Sequence, residues 1–115
     1  MLNCVTLVGK VQEDACMKET ANGIKYANLL LKCRRGFRNT NGEYEYDLIN
    51  CTLWRGVAEN SIDFIKKGNY VAIKARLQSR LYTNDEGTKF YNYDVIVEKL
   101  TFLTNEDVQE QIVDA

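Results

Sequence analysis

Three short stretches of the chain set an aromatic ring beside guanidinium groups. Cys33-Arg34-Arg35-Gly36-Phe37-Arg38-Asn39 places three arginines around one phenylalanine. Trp54-Arg55 and Arg80-Leu81-Tyr82 repeat the pairing. This combination suits a single nucleic-acid strand. Cations follow the phosphates, and ring faces stack on bases at about 1–3 kcal/mol per base whatever its identity. Each ring also has a plainer role open to it. Trp54 lies on the strand parity opposite Ile49, Cys51 and Leu53, so it faces away from the core they would form, toward a ligand or an interface. Phe37 sits between Gly36 and Arg38 near a hairpin tip, where core packing is hard to arrange. Tyr82 serves equally as a strand-end aromatic. Tyr44, Tyr46, Tyr91 and Tyr93 suit cross-strand packing as well as ligand contact.

Other chemistry is poorly supplied. The chain has no histidine, which excludes Ser-His-Asp and Cys-His catalysis and removes the commonest metal ligand. Cys4, Cys16, Cys33 and Cys51 are 12, 17 and 18 residues apart. With no close pair they do not form a zinc signature and read as small reduced core residues. Glu43, Glu45 and Asp47 share one strand parity, but no nuclease motif accompanies them and a solvated face accounts for them. The sequence therefore predicts a binding protein rather than an enzyme, with no cofactor and no metal.

Length and charge agree with this. A chain of 115 residues fits one domain. The 15 bases and 16 acids give a formal charge of −1. Four of the acids (Glu106, Asp107, Glu110 and Asp114) fall within residues 104–115, which hold no base. Residues 1–103 therefore carry 15 bases against 12 acids and are mildly basic. No signal peptide or membrane-length apolar run is present, which predicts a cytoplasmic protein with no membrane partner.

The elements that must position the aromatics follow from period-two alternation. Strands are predicted over 2–11, 25–35, 44–55, 70–82 and 89–103. Val71, Ile73, Ala75 and Leu77 point inward on the fourth, against Ala72, Lys74, Arg76, Gln78 and Arg80. Asn22-Gly23, Asn41-Gly42 and Asn84-Asp85-Glu86-Gly87 mark turns. Val57, Ala58, Ser61, Ile62 and Ile65 recur at helical spacing and predict a helix over 57–67. Lys66 and Lys67 suit its last turn and Gly68 its C-cap. Five strands with one helix between the third and fourth predict an all-β, five-stranded OB-fold, a Greek-key barrel. The expected organisation is a barrel domain over 1–103 and a short acidic tail over 104–115.

These motifs resemble bacterial-type single-stranded DNA-binding proteins. Leu2-Asn3-Cys4-Val5-Thr6-Leu7-Val8-Gly9, Asp47-Leu48-Ile49-Asn50-Cys51-Thr52-Leu53-Trp54-Arg55, Ala58-Glu59-Asn60, Lys66-Lys67-Gly68 and Arg80-Leu81-Tyr82-Thr83 carry the resemblance over about 2–103. It implies a cytoplasmic, nucleoid-associated homotetramer of OB folds. Such an assembly binds and protects single-stranded DNA without sequence preference in replication, recombination and repair. Stacking aromatics fall on Phe37, Trp54 and Tyr82, and a further stacking position falls on Leu48. Basic contacts fall on Lys18, Arg38, Lys66, Lys67 and Arg80. Arg34, Arg35 and Arg55 join them by lying beside the aromatics. The acidic Pro-Phe tip through which the family recruits repair and replication enzymes is not in this sequence, so recruitment by that route is not expected. The competing expectation is an OB-fold protein-interaction module, or primosome-type adaptor, whose aromatics are interface residues.

Overall fold

A computed structural model describes residues 2–104. The strands are β1 (Val5–Val11), β2 (Lys18–Glu19), β3 (Lys25–Arg38), β4 (Tyr44–Trp54), β5 (Tyr70–Thr83) and β6 (Lys89–Phe102). Helix α1 (Arg55–Ser61) and one 3-10 turn (Ile62–Phe64) join β4 to β5. The sheet runs β1-β5-β6-β4-β3-β2, and a β1–β3 pairing closes it into a barrel. β4 and β6 pair in parallel and the other neighbours are antiparallel. The five long strands and the helix are those the sequence predicts, and the two-residue β2 is additional.

Alternation builds the core. Ala27, Leu29, Leu31 and Cys33 of β3, Cys51 and Leu53 of β4, and Val71, Ile73 and Ala75 of β5 are buried together. Closure requires β1 to approach β3 very closely at Gly9. A Cβ there would lie 2.5 Å from the Lys32 carbonyl oxygen and 2.9 Å from Leu31 Cγ.

Three turns share one design. In each, a Thr or Asn precedes a glycine by three residues: Thr20 and Gly23, Asn39 and Gly42, Asn84 and Gly87. Each glycine donates its N–H to that residue's carbonyl and holds a φ near +80°, which glycine adopts without steric cost. The side-chain oxygens of Asn39 and Asn84 each accept two further backbone N–H groups, at 2.8–3.0 Å. These Asx turns fix the β3–β4 and β5–β6 registers.

Two expectations are corrected. The helix ends at Ser61 rather than residue 67, and Lys66, Lys67 and Gly68 follow it as a loop. Asp14 Oδ1 accepts the Lys67 N–H at 2.7 Å, and Gly68 donates to the Val11 carbonyl. The loop is thus tied to the end of β1. Leu77 is exposed rather than inward. It lies just past the end of the β1–β5 ladder at Val5–Ala75, where β5 and β6 continue as a two-stranded arm and only the Asn3 side chain still reaches the Leu77 backbone.

Candidate nucleic-acid interface

Side chains alternate across a strand, so the residues between the core positions of β3 and β4 form one outer face. The register makes that face explicit: Tyr26 is opposite Trp54, Asn28 opposite Thr52, Leu30 opposite Asn50, Lys32 opposite Leu48 and Arg34 opposite Tyr46. Lys18 of β2 pairs with Tyr26 on its other side, so Lys18, Tyr26 and Trp54 form one row across three strands. Trp54 keeps 36% of its surface exposed and leans on Tyr26 with ring centroids 5.1 Å apart. Tyr26 holds the indole from one side and leaves the other available.

Further along the same face, cations lie over rings. Lys32 Nζ stands 4.5 Å from the Tyr46 centroid. The Arg34 and Arg38 guanidinium carbons stand 4.4 and 5.2 Å from that of Tyr44. A cation over a ring keeps its charge while its stem is held in place. Leu48 lies among these groups with 64% of its surface exposed, where it offers apolar contact rather than ring stacking. Phe37 is 72% exposed near the hairpin tip, within the register shift between Arg34 and Arg38.

The β5–β6 arm extends the outer face. Its even-numbered β5 residues Arg76, Gln78, Arg80 and Tyr82 face Ile96, Asp94, Asn92 and Phe90 of β6. Tyr82 is 59% exposed and has Phe90 beside it, 6.1 Å between centroids. Arg80 Nε donates to Asp94 Oδ2 at 2.6 Å, so Asp94 competes with any phosphate for this guanidinium.

Not every predicted contact falls on this surface. Arg35 has the parity of buried Cys33, opposite to Arg34. Its guanidinium is clasped by Glu45 at 2.6 Å and Asp47 at 2.8 Å. The hydrogen bond from Arg35 holds the Asp47 carboxyl below its usual range and raises the guanidinium further. Its neighbour in sequence, Arg34, is thus on the ring-bearing face while Arg35 is neutralised on the other. Lys66 and Lys67 sit beside the start of β5, whereas Tyr82 is near its end. At ~3.3 Å per residue the two ends are roughly 40 Å apart. The structure therefore divides the predicted residues into a face (Lys18, Trp54, Arg34, Arg38), an arm (Arg80, Tyr82), a hairpin tip (Phe37) and a distant loop. Arg55 opens α1 at the edge of the face.

The cysteines do not take part. All four are free, but only Cys33 and Cys51 are the buried core residues the sequence predicts; Cys4 and Cys16 are exposed instead. Burial pushes the Cys33 thiol up to about 11, with Asp47 adding to it. Burial, and then Cys33, push Cys51 up to about 12. Both buried thiols stay protonated and unreactive at neutral pH. Among the described residues no group of three or more His, Cys, Asp or Glu is placed to hold a metal ion.

A family model described as the single-strand binding protein family matches residues 2–103. The chain belongs to that family. It is 40% identical over 111 residues to the single-stranded DNA-binding protein of Halalkalibacterium halodurans, covering 96% of this chain and 66% of that one. It is 39% identical over 103 residues to single-stranded DNA-binding protein B of Bacillus subtilis, covering 90% and 91%. The fold is also that of the wild-type single-stranded DNA-binding protein of Thermus aquaticus, with a TM-score of 0.75 at 24% identity, covering 90% of this chain and 51% of that one. The chain thus spans just under two-thirds of the first relative and about half of the solved structure.

In this member of the single-strand binding protein family, sequence reasoning passed over three groups on the outer face. Tyr26 supports Trp54, and only the strand register puts them side by side. Lys32 over Tyr46 was hidden in the same way, as its partner is 14 residues away in sequence. Arg76 faces outward by parity, but no aromatic flanks it in sequence. Its aromatic neighbour comes from β4.

Proposed function

We propose that this chain binds single-stranded DNA without sequence preference, by stacking bases on exposed rings and pairing phosphates with Lys and Arg. One observation carries the reading: the outer face of β3 and β4 sets the half-exposed Trp54, backed by Tyr26, among Lys18, Lys32, Arg34 and Arg38. No base-reading geometry is needed on such a face, because every base has a stacking surface. The names of its relatives support the same substrate. Binding of this kind protects single strands exposed during replication, recombination and repair. The DNA-binding residues are Phe37, Trp54, Tyr82, Lys18, Arg34, Arg38, Arg55 and Arg80, with Lys66 and Lys67 reached by a strand that continues round the barrel. Arg35 contributes through the β3–β4 hairpin it braces.

The working unit in this reading is a homo-oligomer, and a tetramer on the family resemblance. The arm supports self-association on physical grounds. Its odd-numbered face exposes Leu77, Leu81, Tyr91 and Tyr93, and a two-stranded ribbon is marginal in water unless a face is covered. Residues 1–103 form the binding domain and 104–115 an acidic tail, nearly all of which lies outside the described residues. The site of action is the cytoplasm. No helix among the described residues is long and apolar enough to cross a membrane.

Titration with oligo-dT, following the single tryptophan's emission at low and high salt, tests the proposal. Tight quenching that weakens as salt rises is the expected result. No quenching and no mobility shift would refute it and favour the adaptor reading, in which the same rings contact protein.

A further inference from the structure

Where β4 leaves β6 and turns into α1, a crevice of about 560 Å³ opens at the foot of Trp54. β4 and β6 pair only at Cys51–Val95 and Thr52–Ile96. Beyond that point Lys74 pairs with Lys99 and Ala75 with Val97, so Glu98 is an extra residue that bulges the strand. The gap has Trp54, Val57 and Ile96 as apolar wall and Arg55, Arg76 and Glu98 as its charged groups.

Two features mark it as more than a fault in packing. Among the described residues neither Arg55 nor Arg76 has a hydrogen-bond or ion-pair partner, whereas Arg35 and Arg80 are both paired. The crevice keeps a net positive charge even with Glu98 in it. Arg55 is also the one non-glycine residue with positive φ, at 54°, among the described residues. A left-handed backbone is unfavourable for an arginine, and such strain persists where the surrounding structure imposes it, commonly at ligand sites. Here it falls on the residue that carries a free guanidinium into the crevice wall.

We propose that Arg55 and Arg76 form a phosphate seat that holds one backbone phosphodiester of the strand whose base stacks on Trp54. This rests on the single-stranded DNA reading and adds a fixed point to it. The ring would hold a base and the crevice the phosphate joined to it, which sets where the strand crosses from the β3–β4 face to the β5–β6 arm. Arg76, which no aromatic flanks in sequence, becomes a principal contact.

The test compares wild-type protein with Arg76→Ala and Arg55→Gly, using labelled oligo-dT and anisotropy across a salt series. Arg76 is exposed, so its removal leaves the fold intact. The variant should bind roughly tenfold more weakly at low salt. Its plot of log affinity against log salt should be shallower by about 0.7, the share of one phosphate on a single strand. Arg55→Gly separates ligand contact from structure. Glycine relieves the positive φ, so the melting temperature should hold or rise while affinity falls severalfold. Arg76→Ala with wild-type affinity and slope would overturn the phosphate seat while leaving DNA binding in place. Arg55→Gly binding as tightly as wild type would overturn the part assigned to Arg55. Failure of the wild-type protein itself to bind oligo-dT would overturn both readings together.

Discussion

Truncating Trp54 removes a ring without removing a charge, which makes it the cleanest probe of stacking. The indole is held on one side by Tyr26 at 5.1 Å between centroids and has 36% of its surface free. Only one ring face is open, so one base stacks there. That contact is worth about 1–3 kcal/mol, or roughly a 5- to 150-fold rise in Kd at ~1.4 kcal/mol per factor of ten. Trp54→Ala should show this loss to a similar extent on oligo-dT, oligo-dC and oligo-dA. Its salt dependence should match wild type, because no phosphate contact is lost. The assay is anisotropy of labelled oligonucleotides, since the variant has no tryptophan. The folded state should lose ~0.5–1.5 kcal/mol from the Tyr26 pair in addition to the apolar surface the indole buries, and a thermal melt measures the sum. A change in salt slope, a loss confined to one base, or a Kd unchanged within twofold would each refute the stacking role.

Three further outcomes follow from particular contacts. Arg34→Ala should lower the salt slope by about 0.7, whereas Arg35→Ala should leave it unchanged, because Glu45 and Asp47 already neutralise that guanidinium; the same anisotropy series reads both. Gly9→Ala should destabilise by ~1–3 kcal/mol or more in a denaturant melt, as its Cβ would meet the Lys32 carbonyl oxygen at 2.5 Å, and backbone cannot rotate away. The buried thiols give a pH prediction. Their folded pKa values, about 11 and about 12, lie above the ordinary 9.0, so the neutral thiols favour the folded state. That contribution is complete below pH 9 and is lost as pH rises from there toward 11–12. Stability followed by circular dichroism should fall across this window, and Cys33→Ser with Cys51→Ala should flatten the fall.

Strand alternation and turn chemistry are local properties, and for that reason the barrel was legible. The turns at Thr20, Asn39 and Asn84 each need a side-chain oxygen and a glycine three residues later, and all lie within five residues of sequence. The helix boundary was not legible. Ile65 is fully buried and continues the spacing of Ala58, Ser61 and Ile62, yet it lies outside the helix. The chain tightens into a 3-10 turn at Ile62–Phe64 and leaves with Ile65 at φ −92° and ψ 72°. Burial at helical spacing can thus be met by a chain that has already stopped being helical. Leu77 shows the complementary error. Its parity is right, but parity says which way a side chain points and not whether anything stands opposite. β2 is too short, at two residues, for any period to register.

The same distinction governs the interface. Sequence finds arginines next to rings along the chain, but a sheet sorts neighbours by parity and by partner strand. Adjacent Arg34 and Arg35 therefore separate to opposite faces, one over Tyr44 and the other into a carboxylate clasp. Conversely, Trp54 gains Tyr26 and Lys18 from other strands, and Arg76 from beyond a third. A surface that binds a flexible strand is made from rows that run across the sheet, and rows are set by register. Because the three Gly-containing turns fix that register, a substitution such as Asn39→Ala, whose side-chain oxygen is used by the turn itself, should weaken DNA binding by loosening the β3–β4 hairpin. It removes an oxygen that holds two backbone N–H groups at 2.9 and 3.0 Å. Affinity should fall while the salt slope per bound phosphate is kept, and hydrogen exchange should quicken at the hairpin amides. Unchanged exchange there, with affinity lost, would show that Asn39 acts on the strand directly and not through the register.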